Sequence, residues 1–311
     1  MDKILITGNT GFVGRHVVQE LLNHYSLRQL CLPSRIDFDL LNDSCDNLLK
    51  YCRYHGVLRI IHLASDSGGI GYNQNNQGQL CHNNLQMGIN VLEVARQLEV
   101  DNLVMIGSTC SYPHTPKTIP FVEGELFDGM PESTNAGYGI AKRTLIKLGI
   151  EYNKQYGLNV VNLIPTNTYG PGDNFDLERS HVIPALIRKF EETGGRVEIW
   201  GDGSASRDFI FVKDLAQAIV LACKTTFDPQ PINLGSGNEV SISDLISVIK
   251  EAGNYTADVI FDKSKPNGQP RRCLDISKAE FTLGWMPMTS LEEGLKQTIQ
   301  WYRGHEKLNK S

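Results

Sequence analysis

Lys3-Ile-Leu-Ile-Thr-Gly8-Asn-Thr-Gly11-Phe-Val-Gly14 stands at the start of the chain and decides how its first half folds. A short apolar run enters a loop with glycines three residues apart, and an amphipathic stretch, Phe12–His24, follows it. That order reads as strand, tight turn and helix. The glycines let the chain turn and let a ligand approach the backbone. The helix N-terminus beyond them offers unpaired N–H groups and a positive dipole to an anion, as in the pyrophosphate sites of dinucleotide-binding folds. Gly8, Thr10, Gly11, Phe12, Val13 and Gly14 are therefore the expected phosphate-binding residues. An ordinary glycine-rich turn would carry the same letters, and the strand-loop-helix context is what favours a dinucleotide.

Short β-branched runs and amphipathic stretches keep alternating beyond this point, which predicts an α/β fold with a doubly wound, Rossmann-type parallel sheet. Leu30–Leu32, Arg59–Leu63 and Asn102–Ile106 read as strands, and Asn159–Ile164 as a sixth strand. Asn83–Leu98 and Tyr138–Tyr156 read as long helices. After Tyr169-Gly-Pro-Gly172 the pattern changes: a helix near Val182–Glu192, a strand near Val197–Trp200, then Phe209–Val212 and a helix at Leu215–Lys224. Gly and Pro punctuate the tail, which predicts a smaller mixed α/β lobe. The expected division is 1–168 plus 208–236 for the cofactor domain and 169–207 plus 237–311 for the substrate lobe, with Phe209–Gly235 returning to the main sheet.

Composition narrows the function classes. The 311 residues are 41% hydrophobic and 21% charged with a net charge of −5, so neither general nucleic-acid binding nor membrane-surface binding is expected. The seven cysteines form no C-x-x-C pair, which argues against a disulfide scaffold or a metal site and for a reducing cytosol. The first residues enter a strand without a charged-then-apolar leader, and no apolar run reaches membrane-spanning length, so a cytoplasmic protein is expected.

At the end of the second strand stands Leu32-Pro33-Ser34-Arg35, without an acid before the arginine. A guanidinium there suits a ribose 2′-phosphate, which favours NADPH over NADH; a solvated surface arginine is the alternative. Tyr138 and Lys142 are four apart at the start of a helix and so share a face. A free phenol titrates at about 10, and a neighbouring ammonium is expected to lower that value and make the pair a proton shuttle. Ser108, just past strand Asn102–Ile106, would reach the same substrate oxygen. Read locally, Cys110 fits a small buried apolar residue, and His181 fits a helix-start residue satisfied by backbone.

The G-x-x-G-x-x-G spacing and Tyr138-x-x-x-Lys142 resemble the extended short-chain dehydrogenase/reductase superfamily. Further stretches are more specific: His62-Leu-Ala-Ser65 with Gly68-Gly69-Ile70, Gly107-Ser-Thr-Cys-Ser-Tyr-Pro113, and Thr134 through Lys142. Pro165 through Phe175, Ser180 through Arg188, Trp200-Gly-Asp-Gly203 with Arg207-Asp-Phe209, and Ser264 through Arg272 continue the match. Over nearly the full length the chain resembles the GDP-L-fucose synthase family, reductive epimerases of GDP-4-keto-6-deoxy-mannose.

The resemblance implies NADP(H) as cofactor, a nucleotide-diphosphate sugar as substrate and a homodimer built on the helices at 83–98 and 138–156. It makes Cys110 and His181 the acid/base pair at C3 and C5, beside Ser108, Tyr138 and Lys142. It adds Asp39, Leu40, Leu63, Ala64, Ser65, Pro165, Asn167 and His181 to the cofactor site. Asn167 and Ser108 would also face the sugar. Arg188, Lys189, Trp200, Arg207, Arg271 and Arg272 would hold the nucleotide diphosphate, each with a solvated surface charge or ring as its alternative. The chain departs from the family pattern at Asn9-Thr10, where His-Arg is usual, at Ser65-Asp66-Ser67, and in the amide-rich Tyr72–Cys81. The last two departures border the expected sugar pocket and point to another 4-keto-6-deoxy sugar, such as a heptose, or to loss of the epimerase or the reductase step. A non-catalytic NAD(P) sensor is the remote alternative; it would need the glycine loop but not Ser108, Tyr138 and Lys142.

Overall fold

The computed structural model describes residues 2–193, 195–224, 228–265 and 268–309; Pro266 and Asn267, inside the matched stretch 264–272, lie outside the described residues. β1 (Lys3–Thr7) runs into α1 (Phe12–Leu22), and β2 (Leu30–Cys31) is followed by α2 (Cys45–His55). β3 (Val57–His62) leads to α3 (Ile70–Asn75) and α4 (Gln77–Leu98), and β4 (Asn102–Ile106) to α5 (Ala136–Tyr156). Next come β5 (Val160–Pro165), β6 (Asn167–Tyr169), α6 (Val182–Glu192), β7 (Arg196–Trp200), β8 (Ser206–Arg207), β9 (Phe209–Phe211) and α7 (Val212–Ala222). The chain continues through β10 (Ile232–Leu234), β11 (Val240–Ser241), α8 (Ile242–Gly253), β12 (Asp258–Asp262) and β13 (Arg271–Arg272) to α9 (Ser277–Leu283) and α10 (Leu291–Asn309).

A six-stranded sheet in the order β10-β5-β4-β3-β1-β2, parallel throughout, forms the centre. Side chains alternate between its faces. Ile4 and Ile6 pack with α1 and α7, whereas Leu5, Ile60 and Leu103 pack with α2, α4 and α5. Burial on both sides is why these strands read as continuous apolar runs. From β1 the chain steps to β2 on one side and to β3, β4 and β5 on the other, so the loops after β1 and β3 open side by side. That switch point is where sheets of this kind hold ligands.

Some expected elements move. The segment read as a sixth strand is the fifth along the chain, and Ile232–Leu234 closes the sheet beside it. Within Phe209–Gly235 only β10 joins the main sheet; β9 pairs with β6 in a two-stranded ladder of its own. Beneath that ladder a third core gathers Phe209, Phe211, Ile187, Ile199, Leu245 and Leu295. α4 starts at Gln77 rather than Asn83, because the amide side chains there bond to the fold instead of breaking the helix. Gln77 accepts a hydrogen bond from Gly137 N at 3.0 Å and donates to Ser133 O at 2.9 Å.

Ile61 is 0% exposed in the middle of β3. Ile61→Ala is expected to cost about 2–5 kcal/mol, read as a lower urea midpoint with an unchanged slope.

Candidate active site

At the switch point the loop after β1 is pressed onto the end of β3. Gly8 has φ +69°, and a Cβ there would lie 2.7 Å from Ala64 N. One added at Gly14 would lie 2.0 Å from Gly8 O. Leu63 N donates to Thr7 O at 3.2 Å, and the Thr7 hydroxyl lies 2.8 Å from His62 Nδ1. Gly11 caps α1 without a side-chain hydrogen bond, leaving the first turn open to an anion. Asn9 donates to Ile6 O at 3.2 Å and Pro33 O at 2.7 Å, which ties the loop to the segment carrying Arg35. Arg35 is exposed just beyond β2, and its charge helps hold the Asp39 carboxyl below its ordinary value, after hydrogen bonds from Leu41 and Asn42. Leu40 packs toward the core, and its carbonyl accepts from Asn90 at 3.0 Å. Close-packed glycines, an open helix N-terminus and an outer guanidinium fit a dinucleotide bearing a 2′-phosphate.

The second group gathers at the carboxyl end of β4. α5 lies so close to the turn after this strand that a Cβ at Gly139 would stand 2.2 Å from Cys110 O. Lys142 Nζ donates to Ile106 O at 3.0 Å and sits 5.8 Å from the centre of the Tyr138 ring. Ser108 Oγ accepts from Cys110 N at 3.1 Å, and Ser65 and Ser108 both hydrogen-bond the Tyr138 hydroxyl. Cys110 Sγ accepts from Arg272 Nη1 at 3.6 Å. His181 is the N-cap of α6. The residue is exposed, yet burial by the surrounding groups lowers its pKa and favours the neutral imidazole. Ser180, just before it, is wedged against Gly69, where a Cβ would lie 2.4 Å from Ser180 O.

The expected lowering of the tyrosine does not occur. Burial first, and then Cys110, push Tyr138 up to about 12, against the pull of Ser65 and Ser108. Burial also pushes Lys142 down to about 8. The crevice disfavours both charged forms, so Tyr138 rests as a neutral phenol, suited to giving a proton rather than taking one.

Residues 4–235 match the model of the NAD dependent epimerase/dehydratase family. The chain belongs to this family. It is 36% identical over 302 residues to the GDP-L-fucose synthase of Sinorhizobium fredii, covering 96% of this chain and 94% of that protein. It is 37% identical over 309 residues to the GDP-L-colitose synthase of Yersinia pseudotuberculosis, covering 96% of this chain and 97% of that one. Among solved structures it is similar to a GDP-mannoheptose C4 reductase from Campylobacter jejuni with NADP bound, at a TM-score of 0.86 and 28% identity over 97% of this chain and 98% of that chain.

In this epimerase/dehydratase chain the cations of the lobe separate into two sets. Arg207 and Arg272 are brought to Cys110. Arg207 donates to Ser206 O and Gln269 O, both at 2.7 Å, and burial and Arg272 push it down to about 10. Arg272 Nε donates to Gln269 Oε1 at 3.0 Å. The others are committed elsewhere: Arg271 to Glu239 at 2.5 Å, Arg188 to Glu192 and Phe175 O, and Lys189 to Glu198 O. Trp200 is exposed at the end of β7 with Lys265 Nζ 5.6 Å from its ring centre. Pro165 ends β5, and Asn167 Nδ2 donates to Asp208 O at 2.9 Å. Among the described residues no cluster of His, Cys, Asp or Glu is placed to hold a metal, and no helix is long and apolar enough to cross a membrane.

Several working residues escaped the sequence reading. Arg143, buried, holds the turn after β4 by donating to Ser111 O and Gly129 O. Asn84, 2% exposed, accepts from Ser65 Oγ at 2.7 Å. Asp173 follows the Gly170-Pro171-Gly172 turn that touches α1 through His16 Nε2 and Pro171 O at 2.7 Å. One Asp173 oxygen accepts from Asn174 N and the other has no partner among the described residues. A buried carboxyl of this kind has no local sequence signature, although its glycine-proline turn marks the place.

Burial pushes Asp173 up to about 7 from an ordinary 3.8. The folded chain then keeps a proton that the unfolded chain sheds, so stability drains away as pH rises through this window and levels off above it. Asp173→Asn is expected to melt with the wild type near pH 4 and several degrees above it at pH 8, in thermal scans across that range.

Proposed function

We propose that this chain is an NADPH-dependent reductive epimerase that converts a GDP-4-keto-6-deoxy-hexose, of the GDP-4-keto-6-deoxy-mannose type, to a GDP-6-deoxy sugar such as GDP-L-fucose. The observation that carries the proposal is the meeting of a neutral Tyr138, backed by Ser108 and Lys142, with the Cys110 thiol at one strand end. The likeness to a GDP-L-fucose synthase over nearly the whole chain supports it. Residues 1–168 with 208–236 form the cofactor half, and 169–207 with 237–311 the nucleotide-sugar lobe. The protein works as a cytoplasmic homodimer through α4 and α5, so solution scattering is expected to give twice the 34.7 kDa chain mass, and a monomer mass would refute the dimer.

The Gly8–Gly14 loop holds the pyrophosphate and Arg35 the 2′-phosphate, with Asp39, Leu40, Leu63, Ala64, Ser65 and Pro165 lining the path between them. NADPH, when bound, supplies a hydride for C4 of the sugar. The Ser108 and Tyr138 hydroxyls hold the C4 oxygen, and Tyr138 protonates it. Lys142 then stabilises the phenolate that Tyr138 becomes. Before reduction, the C4 ketone acidifies the protons at C3 and C5. Cys110 and His181 remove and return these protons from opposite faces. Arg207 and Arg272 meet the diphosphate, with Asn167 facing the sugar. Arg188, Lys189, Trp200 and Arg271 serve the outer nucleotide end.

C4 reduction without epimerisation is the second reading, favoured by the likeness to a C4 reductase. Incubation with NADPH and GDP-4-keto-6-deoxy-mannose in deuterated water, followed by NMR, separates the two. The expected result is one NADPH oxidised per product and deuterium at C3 and C5. Tyr138→Phe should lower kcat by about 100-fold or more, and Cys110→Ser should abolish the deuterium. Reduction without deuterium would leave a reductase alone, and no NADPH oxidation would refute both readings.

A further inference from the structure

The polar wall between Tyr138 and His181 is built from Ser65, Asp66, Tyr72, Asn83, Asn84 and Arg179. Ser65 hydrogen-bonds Tyr138, and the next residue, Asp66, is clamped on both backbone sides by buried Asn84: Asp66 N donates to Asn84 Oδ1 at 3.2 Å, and Asn84 Nδ2 donates to Asp66 O at 2.8 Å. The carboxylate receives Tyr72 OH at 3.2 Å on one oxygen and Asn83 Nδ2 at 2.9 Å on the other. The Tyr72 ring carries the Arg179 guanidinium on its face, 4.4 Å from the centroid. Arg179 stands two residues before His181, and its carbonyl accepts from Gly69 N at 2.9 Å. The wall is thus anchored at the proton donor on one side and at the candidate base on the other.

We infer that Asp66, Tyr72 and Arg179 set the preference among sugars, and that the site prefers a GDP-4-keto-6-deoxyheptose, with a hydroxyl at the end of its C5 side chain, over the hexose of the proposed reaction, which has a methyl there and is still turned over. The inference rests on the reaction proposed above. Each Asp66 oxygen has spent one of its acceptor directions and keeps another. Arg179 is exposed, and a guanidinium resting over a ring still has N–H donors to offer a ligand. With Arg207 and Arg272 beside Cys110 for the diphosphate at C1, the opposite end of the ring, from C4 outward, meets the wall. A methyl group there would displace water from a carboxylate and a guanidinium and give them nothing in return. A terminal hydroxyl accepts from Arg179 and donates to Asp66, so it satisfies both.

The test is competition between GDP-4-keto-6-deoxyheptose and GDP-4-keto-6-deoxy-mannose with NADPH, read as the ratio of their kcat/KM values. The wild type is expected to favour the heptose by about tenfold or more, as a site built around a hydroxyl does. Arg179→Leu and Asp66→Asn should each collapse that ratio toward one, while Arg179→Lys, which keeps the charge but not the flat fork, should keep part of it. Loss of fold in a variant lowers both substrates together and leaves the ratio unmoved, and an unmoved ratio in all three folded variants would overturn the inference. A wild type that turns over the hexose as well as or better than the heptose would overturn it too, leaving the reaction class intact. Failure on both sugars would remove the reaction class and the inference with it.

Discussion

The approach of the loop after β1 to the end of β3 is the constraint on which the rest depends. With Gly8 against the backbone at Leu63 and Ala64, the two loops of the switch point become one surface. Thr7 and His62 lock it from beneath, and burial drives His62 down to about 3, so it stays neutral inside the sheet. Everything beyond this contact is positioned from it. Ser65 follows three residues after His62 and reaches Tyr138, and Gly69 follows four later and meets the turn ahead of His181. A polar crevice at the sheet edge results from a packing requirement inside the sheet.

Electrostatics then assign the chemistry. Burial raises Tyr138 and lowers Lys142, so proximity to an ammonium does not by itself make a phenolate. The lysine is held by the last carbonyl of β4, fixed at a distance from which it responds once the phenol gives up its proton. This suits the reductive direction, in which a ketone oxygen needs a proton. Cys110 occupies the turn just after β4, where its thiol has the Arg272 guanidinium as neighbour.

The central sheet was legible because its strands are covered on both faces and its loops carry glycine. Lys3–Thr7, Asn102–Ile106 and Val182–Glu192 fall where the residues put them. The Tyr138–Lys142 spacing and the Ser108 position were equally legible, since helical period and strand ends fix them locally. α2 was not: its buried Leu48, Leu49 and Cys52 make a narrow stripe in a polar segment. The start of α4 was hidden because asparagine and glutamine ordinarily compete with a helix, and Gln77 finds its partners in Ser133 and Gly137, at and just before the start of α5. The lobe cations looked alike in sequence, yet Arg271 ends in an ion pair with Glu239 while its neighbour Arg272 turns inward to the thiol. Alternation along a strand explains that split, but only once β13 is known to pair with β8.

The contact between Gly139 and the carbonyl of Cys110 joins the phenol of Tyr138 and the thiol of Cys110 into one rigid part. Tyr138 rides on the first turn of a long helix and Cys110 on a short turn after a strand, and neither can shift without the other. The thiol and the phenol therefore keep a fixed spacing like two prongs of one tool, and the reaction proposed above calls for a sugar that meets both in a single pose. Whatever variation the family allows in its sugars must be absorbed by the opposite wall, which is assembled from side chains and can be rebuilt one residue at a time.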